Sequence, residues 1–197
     1  AKAHDWGKVE KMGNHLAINA SMAPWGAYFL SLAAEARKDY PRAQWMIELA
    51  LKKAPKEGLL HYQLGRLQWL TDDESGAVKE LGLAAELNPS LADAHGLLGQ
   101  LALQNQDRTG AEKYFTKALS VDAAHWPSII GMSTVRLQGG DWAQAEEFLI
   151  KGVHLNPRSS KARLALAQIQ EQRLNKLSEA LKSYRDIKVL SGENKLD

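Results

Sequence analysis

No cysteine occurs among the 197 residues, which excludes disulfides, cysteine-ligated zinc and thiol catalysis, and is compatible with any redox compartment. No apolar run approaches the roughly 18 to 20 residues that a membrane-spanning helix needs. Charge of one sign is also lacking: 25 Lys and Arg stand against 23 Asp and Glu, a net +2, and no basic run is longer than Lys52-Lys53. A nucleic-acid binder needs clustered cations, so that class is excluded. The opening residues Ala1-Lys2-Ala3-His4-Asp5 lack the apolar stretch of a secretory signal. Phosphate loops of the G-x-G-x-x-G and G-x-x-x-x-G-K-[ST] types, H-E-x-x-H and G-x-S-x-G are all missing. No catalytic centre and no cofactor or metal site is therefore expected.

What is present is enough apolar material for a core, with 45% hydrophobic and 24% charged residues, and a register. Asp5, Asp39, Asp73, Asp107 and Asp141 recur every 34 residues. Leu30, Leu64, Leu98, Met132 and Leu166 keep the same period, as do Ile47, Leu81, Phe115 and Leu149. Small residues follow it too: Ala43, Ala77, Ala111 and Ala145; Ala50, Ala84, Ala118 and Gly152; Ser31, Gly65, Gly99, Ser133 and Ala167. Pro55, Pro89 and Pro157 close three of the units.

A fixed period of this length signals a stacked repeat architecture. The series resembles the tetratricopeptide family, whose unit has small residues at places 8, 20 and 27, a large apolar residue at 24 and proline at 32. The resemblance implies an all-α fold, a right-handed superhelical α-solenoid of antiparallel helix pairs. It divides the chain into units 24–57, 58–91, 92–125, 126–159 and 160–193, with 194–197 as a tail. Departures are His61 and His95 at the family's early tryptophan, Ala123 where a closing proline belongs, and one extra residue near Asn175-Lys176.

Local chemistry agrees with helix pairs. Leu91, Ala94, Leu98, Leu101 and Ala102 fall on one side of a 3.6-residue repeat. Each periodic Asp sits where it can cap the second helix of a pair, a contact worth about 1 kcal/mol. The proline series lies past the second helix, where the chain leaves the helical path. Gly65 and Gly99 are expected to face an alanine of the second helix and let the axes approach. Leu at Gly99 would overpack that contact by about 1–3 kcal/mol.

Residues 1–23 read as a lone second helix, because Asp5-Trp6 falls in register with Asp141-Trp142. They are expected to cap the array, the other reading being a dangling tail. Ser191 to Asp197 is expected to fray, leaving the apolar edge of the last unit open to self-association.

His61 and His95 are expected to replace the tryptophan in packing and not to bind metal. Glu146-Glu147 and Asp72-Asp73-Glu74 read as solvated faces, because adjacent helix residues point apart. Trp6 and Trp142 are expected at helix starts, Trp45 facing outward or between units, and Trp25, Trp69 and Trp126 on or beside first helices.

The resemblance also implies a binding site. In peptide-gripping members, places 2, 5, 9 and 12 of each first helix line the concave groove. Carried over, these give Trp25, Tyr28, Leu32 and Glu35; Leu59, Tyr62, Arg66 and Trp69; Asp93, Gly96, Gln100 and Leu103; Pro127, Ile130, Thr134 and Leu137; and Lys161, Leu164, Gln168 and Glu171. Trp25, Tyr28, Tyr62, Arg66 and Trp69 are the expected anchors, since hot spots favour Trp, Tyr and Arg. Tyr28 and Leu32 stand where chaperone-binding members carry Lys and Asn, so no carboxylate clamp of that kind forms. The expectation is a non-catalytic adaptor for an apolar or amphipathic protein segment. The other readings are a self-assembly module stacking through its ends and the regulatory arm of a larger enzyme. The composition suggests a bacterial source, in cytoplasm or periplasm, as part of a larger, membrane-anchored protein.

Overall fold

The computed structural model describes residues 5–190, all of them in helices or the turns between them. The helices are α1 (Trp6–Ile18), α2 (Ala23–Ala36), α3 (Tyr40–Lys53), α4 (Gly58–Leu70), α5 (Glu74–Leu87), α6 (Ala92–Gln104), α7 (Arg108–Val121), α8 (Trp126–Gln138), α9 (Trp142–Leu155), α10 (Ser160–Gln172) and α11 (Leu177–Leu190). Among the described residues there is no strand, and no helix is long and apolar enough to cross a membrane. The fold is the all-α helix-pair solenoid expected. It divides into two compact units, 1–98 and 99–197.

The periodic Asp does two jobs. As N-cap, its carboxylate accepts the backbone N–H three residues on, at 3.2 Å for Asp5, 3.3 Å for Asp39, 3.0 Å for Asp73, 2.9 Å for Asp107 and 3.2 Å for Asp141. As the residue ending the turn before it, Asp39 donates its own N–H to Ala34 O, Asp73 to Gln68 O, Asp107 to Ala102 O and Asp141 to Arg136 O. That six-residue bond closes a Schellman turn, which needs a left-handed residue one position earlier. Lys38 (φ 62°), Asp72 (62°), Gln106 (60°) and Gly140 (77°) fill it, again 34 apart. In the last pair the left-handed residue is Asn175 (φ 52°), one place late, which locates the extra residue of that turn.

In residues 1–98 the core runs from Ala34, Ala43, Ile47 and Ala50 to Leu60, Leu64 and Leu67. The helix α1 docks on α2 where two glycines meet: a Cβ at Gly26 would lie 2.5 Å from Ala17 N, and one at Gly13 would lie 2.9 Å from Leu30 Cγ. Arg37 grips Glu10 with both guanidinium nitrogens, at 3.2 and 2.5 Å. Residues 5–18 are therefore packed and not dangling; the expected fray of 191–197 lies outside the described residues.

In residues 99–197, Phe115 is the pivot. Its ring is fully buried and fits between two glycines, since a Cβ at Gly99 would lie 2.6 Å from its Cε1 and one at Gly131 would lie 2.2 Å from its Cζ. The expectation that Gly65 and Gly99 face an alanine of the second helix holds in part at Gly65, where a Cβ would lie 3.1 Å from Ala77 O, and is corrected at Gly99. Gly99 faces the Phe115 ring, and Gly65 faces the Leu81 side chain, 2.8 Å from a built Cβ. The small residue at place 8 receives the large one at place 24.

Candidate binding face of the first helices

The predicted groove residues are distributed unequally in character. On α2 and α4, Trp25, Tyr28, Leu32, Leu59, Tyr62, Arg66 and Trp69 are all half-buried. Tyr28 stands edge-on to Trp25 (6.2 Å between centroids, 79°) and to Phe29 (5.5 Å, 70°), and it packs on the core. Burial pushes the Tyr62 hydroxyl up to about 12, with the Asp93 charge adding to it, while Arg66 opposes. Burial also raises Tyr28, opposed by Arg66 and reinforced by Glu35 and Asp93. Arg66 Nη2 binds Glu35 Oε2, and the same oxygen accepts Gln63 Nε2 at 2.8 Å. Arg66 is thus tied into a polar network with Gln63 and with Glu35 of the preceding 34-residue unit.

The α8 side differs. Within residues 99–197, α8 and α10 flank a cavity of about 350 Å³. Its lining includes Gln100, Pro127, Ile130, Thr134, Leu137 and Lys161 from the expected set. Its apolar floor is built by side chains whose polar atoms are already used. Thr134 Oγ1 donates to Ile130 O at 3.1 Å and Ser133 Oγ to the same oxygen at 2.7 Å. Trp126 Nε1 donates to Gly152 O at 2.9 Å. Gly152 also makes room for the wall, since a Cβ there would lie 2.6 Å from Ile130 Cδ1. Its departure from the alanine of its series is thus what seats Ile130. Leu149, Ser159, Ala162 and Ala165 also line it and were not foreseen, while Trp126, expected on or beside a first helix, joins them.

Of the expected residues within 99–197, Leu103, Leu164, Gln168 and Glu171 lie elsewhere. Leu103 packs on the Phe115 and Met132 cluster and does not line the cavity. Gln168 is exposed and borders a second, smaller hollow beside Trp142, whose ring lies under the Arg173 guanidinium at 4.8 Å.

Two further expectations are corrected. His61 and His95 do not merely fill a tryptophan's place. His61 Nε2 donates to Pro55 O at 2.9 Å and His95 Nε2 lies 3.3 Å from Pro89 O; Arg163, at the same register place, donates Nε to Pro157 O at 3.0 Å. These side chains fasten the proline turn, and Ile129 stands at this place after Ala123, the one of the four turns without proline. Glu146 is buried, not solvated: Gln170 Nε2 reaches it at 2.9 Å and Lys176 Nζ at 2.5 Å. One register step earlier, Glu112 holds Arg136 in the same way, at 2.5 Å. Among the described residues no group of three His, Asp or Glu is placed to hold a metal.

Comparison with known proteins fits this geometry. The tetratricopeptide repeat family model matches residues 102–169. No curated protein matches the chain. Among solved structures, PilF of Pseudomonas aeruginosa is similar with a TM-score of 0.79 at 17% identity, covering 90% of this chain and 79% of that one. MamA from Desulfovibrio magneticus RS-1 gives 0.70 at 14%, covering 95% and 98%. YrrB, a tetratricopeptide protein with an unusual peptide-binding site, gives 0.64 at 12%, covering 97% and 94%.

Proposed function

We propose that this chain, whose residues 102–169 match the tetratricopeptide repeat family model, is a non-catalytic scaffold that holds an apolar or amphipathic segment of a partner protein against the cavity between α8 and α10. Helix-pair repeats of this kind serve in general as protein-interaction scaffolds. One observation carries the finer reading: six residues expected from the register, Gln100, Pro127, Ile130, Thr134, Leu137 and Lys161, line one open apolar cavity. Such cavities, with few polar groups, are where side chains of a bound segment are received. The likeness to YrrB, which has a peptide-binding site, supports the class of ligand. In this reading the five units of 34 residues present the face, and residues 1–23 cap it.

The test uses a random peptide display library selected on the full chain. Thr134→Trp fills the cavity from a half-buried position. It should weaken a selected peptide by at least about ten-fold, or 1.4 kcal/mol, with helical circular dichroism unchanged. Unchanged affinity would overturn the reading.

A second reading, self-association, draws on α11, where Leu177 and Leu181 are 56% and 55% exposed one turn apart. Sedimentation over a concentration range should then show growth in mass that Leu181→Glu abolishes. A constant mass removes it.

A further inference from the structure

The cavity between α8 and α10 has a charged mouth as well as an apolar floor. Lys161 lines it from the first turn of α10. No Asp or Glu is among the lining residues. Among the other cations of this unit, Arg136 is engaged by Glu112, Arg163 by Asp186 at 2.7 Å, Lys176 by Glu146, and Arg173 over the Trp142 ring, while Arg158, exposed three residues before Lys161, does not line the cavity. Lys161, exposed, makes no ion pair among the described residues. The N-terminal end of α10 adds a positive partial charge on the same side, with Ser159 capping only the Ala162 N–H.

We infer that the cavity selects a segment whose apolar anchor is followed or preceded within about one helical turn by an acidic side chain, the anchor entering between Ile130 and Leu137 and the carboxylate meeting Lys161. This rests on the proposed binding role of the same cavity and adds the charge of its ligand. The floor offers an aliphatic or aromatic side chain no hydrogen-bond partner to lose, because the Thr134, Ser133 and Trp126 donors are spent on backbone carbonyls. The mouth offers one cation with no internal competitor. An acidic ligand gains a pair there, a neutral one gains nothing, and a basic one meets repulsion. Selectivity therefore comes from the mouth and affinity from the floor.

The experiment selects the same random peptide library on the wild-type chain and on Lys161→Glu, with Lys161→Gln as a second variant. Lys161 is exposed, so both variants should fold. The wild type should enrich Asp or Glu within four positions of an apolar residue. Lys161→Glu should enrich Lys or Arg there instead, and Lys161→Gln should lose the charge preference. Changing the acid of a wild-type peptide to its amide should weaken binding by about three- to five-fold, as for an exposed ion pair, and less so at high salt. Equal enrichment of acidic, neutral and basic peptides on all three chains would overturn the charge inference. If those peptides still compete for the cavity and lose affinity with Thr134→Trp, the binding role itself survives. Peptides indifferent to Thr134→Trp would overturn both.

Discussion

The first-helix positions around Tyr62 and those around Thr134 occupy equivalent places of the repeat and have opposite character. At Tyr28 aromatic rings pack edge-on and on the core, Tyr62 is half-buried, and the Arg66 guanidinium is paired with Glu35. At Ile130, Thr134 and Leu137 smaller side chains leave about 350 Å³ open. Large, adhesive residue types are thus not the same as an available surface. Trp, Tyr and Arg dominate interfaces because they bury well, and for the same reason they bury well against their own protein. The space for a ligand appears where a repeat has smaller residues, as at Thr134, Ala162 and Ala165.

The largest effect that can break the comparison lies beneath the open face. Phe115→Ala should cost about 3–5 kcal/mol in denaturant unfolding, because two glycines are shaped around its ring and cannot close the hole. A cost below about 1 kcal/mol would mean that this side is loosely packed, and that its cavity is mere slack. The filled side should announce itself in alkali. Tyr62 is held neutral up to about 12, against 10.0 for an ordinary tyrosine. A phenol whose folded pKa is raised contributes stability that is complete below pH 10 and is lost as pH climbs toward 12. The loss should be about 2 kcal/mol, allowing for the exposed part of the ring. Tyr62→Phe should flatten that segment of the stability curve, with unfolding followed at successive alkaline pH values; an unaltered curve would show Tyr62 to be solvated, and the two faces to be alike.

Much of the fold was legible because it is written in residue identity. The Asp series, the place-24 large residues and the small residues each recur in sequence and each have one structural job. Other features were not legible because they are written in backbone or in pairing. Lys38, Asp72 and Gln106 share a left-handed conformation that only Gly140 advertises by its type. Glu146 looked solvated because its partners, Gln170 and Lys176, lie 24 and 30 residues away. Arg66 looked available for the same reason, with Glu35 31 residues distant. The cavity depends on where side chains are small and on which hydroxyls are spent, and a list of groove places carries neither.

The smallest effect concerns those turns. Gln106→Gly should stabilise by about 0.5 kcal/mol, as relief of left-handed strain outweighs added chain entropy. Gly140→Gln should destabilise by about 1 kcal/mol. Both are measurable as shifts in denaturant midpoint at constant slope, and equal signs for the two would show that the turns are not equivalent.

The central claim is that a partner segment seats on the open face and not on the filled one. The direct measurement is the affinity of one library-selected peptide for Thr134→Trp and for Tyr62→Ala, by calorimetry on the full chain at matched helical content. The account predicts a loss of about ten-fold or more for Thr134→Trp and a change within about two-fold for Tyr62→Ala. The reverse order, with Tyr62→Ala abolishing binding and Thr134→Trp tolerated, would contradict it.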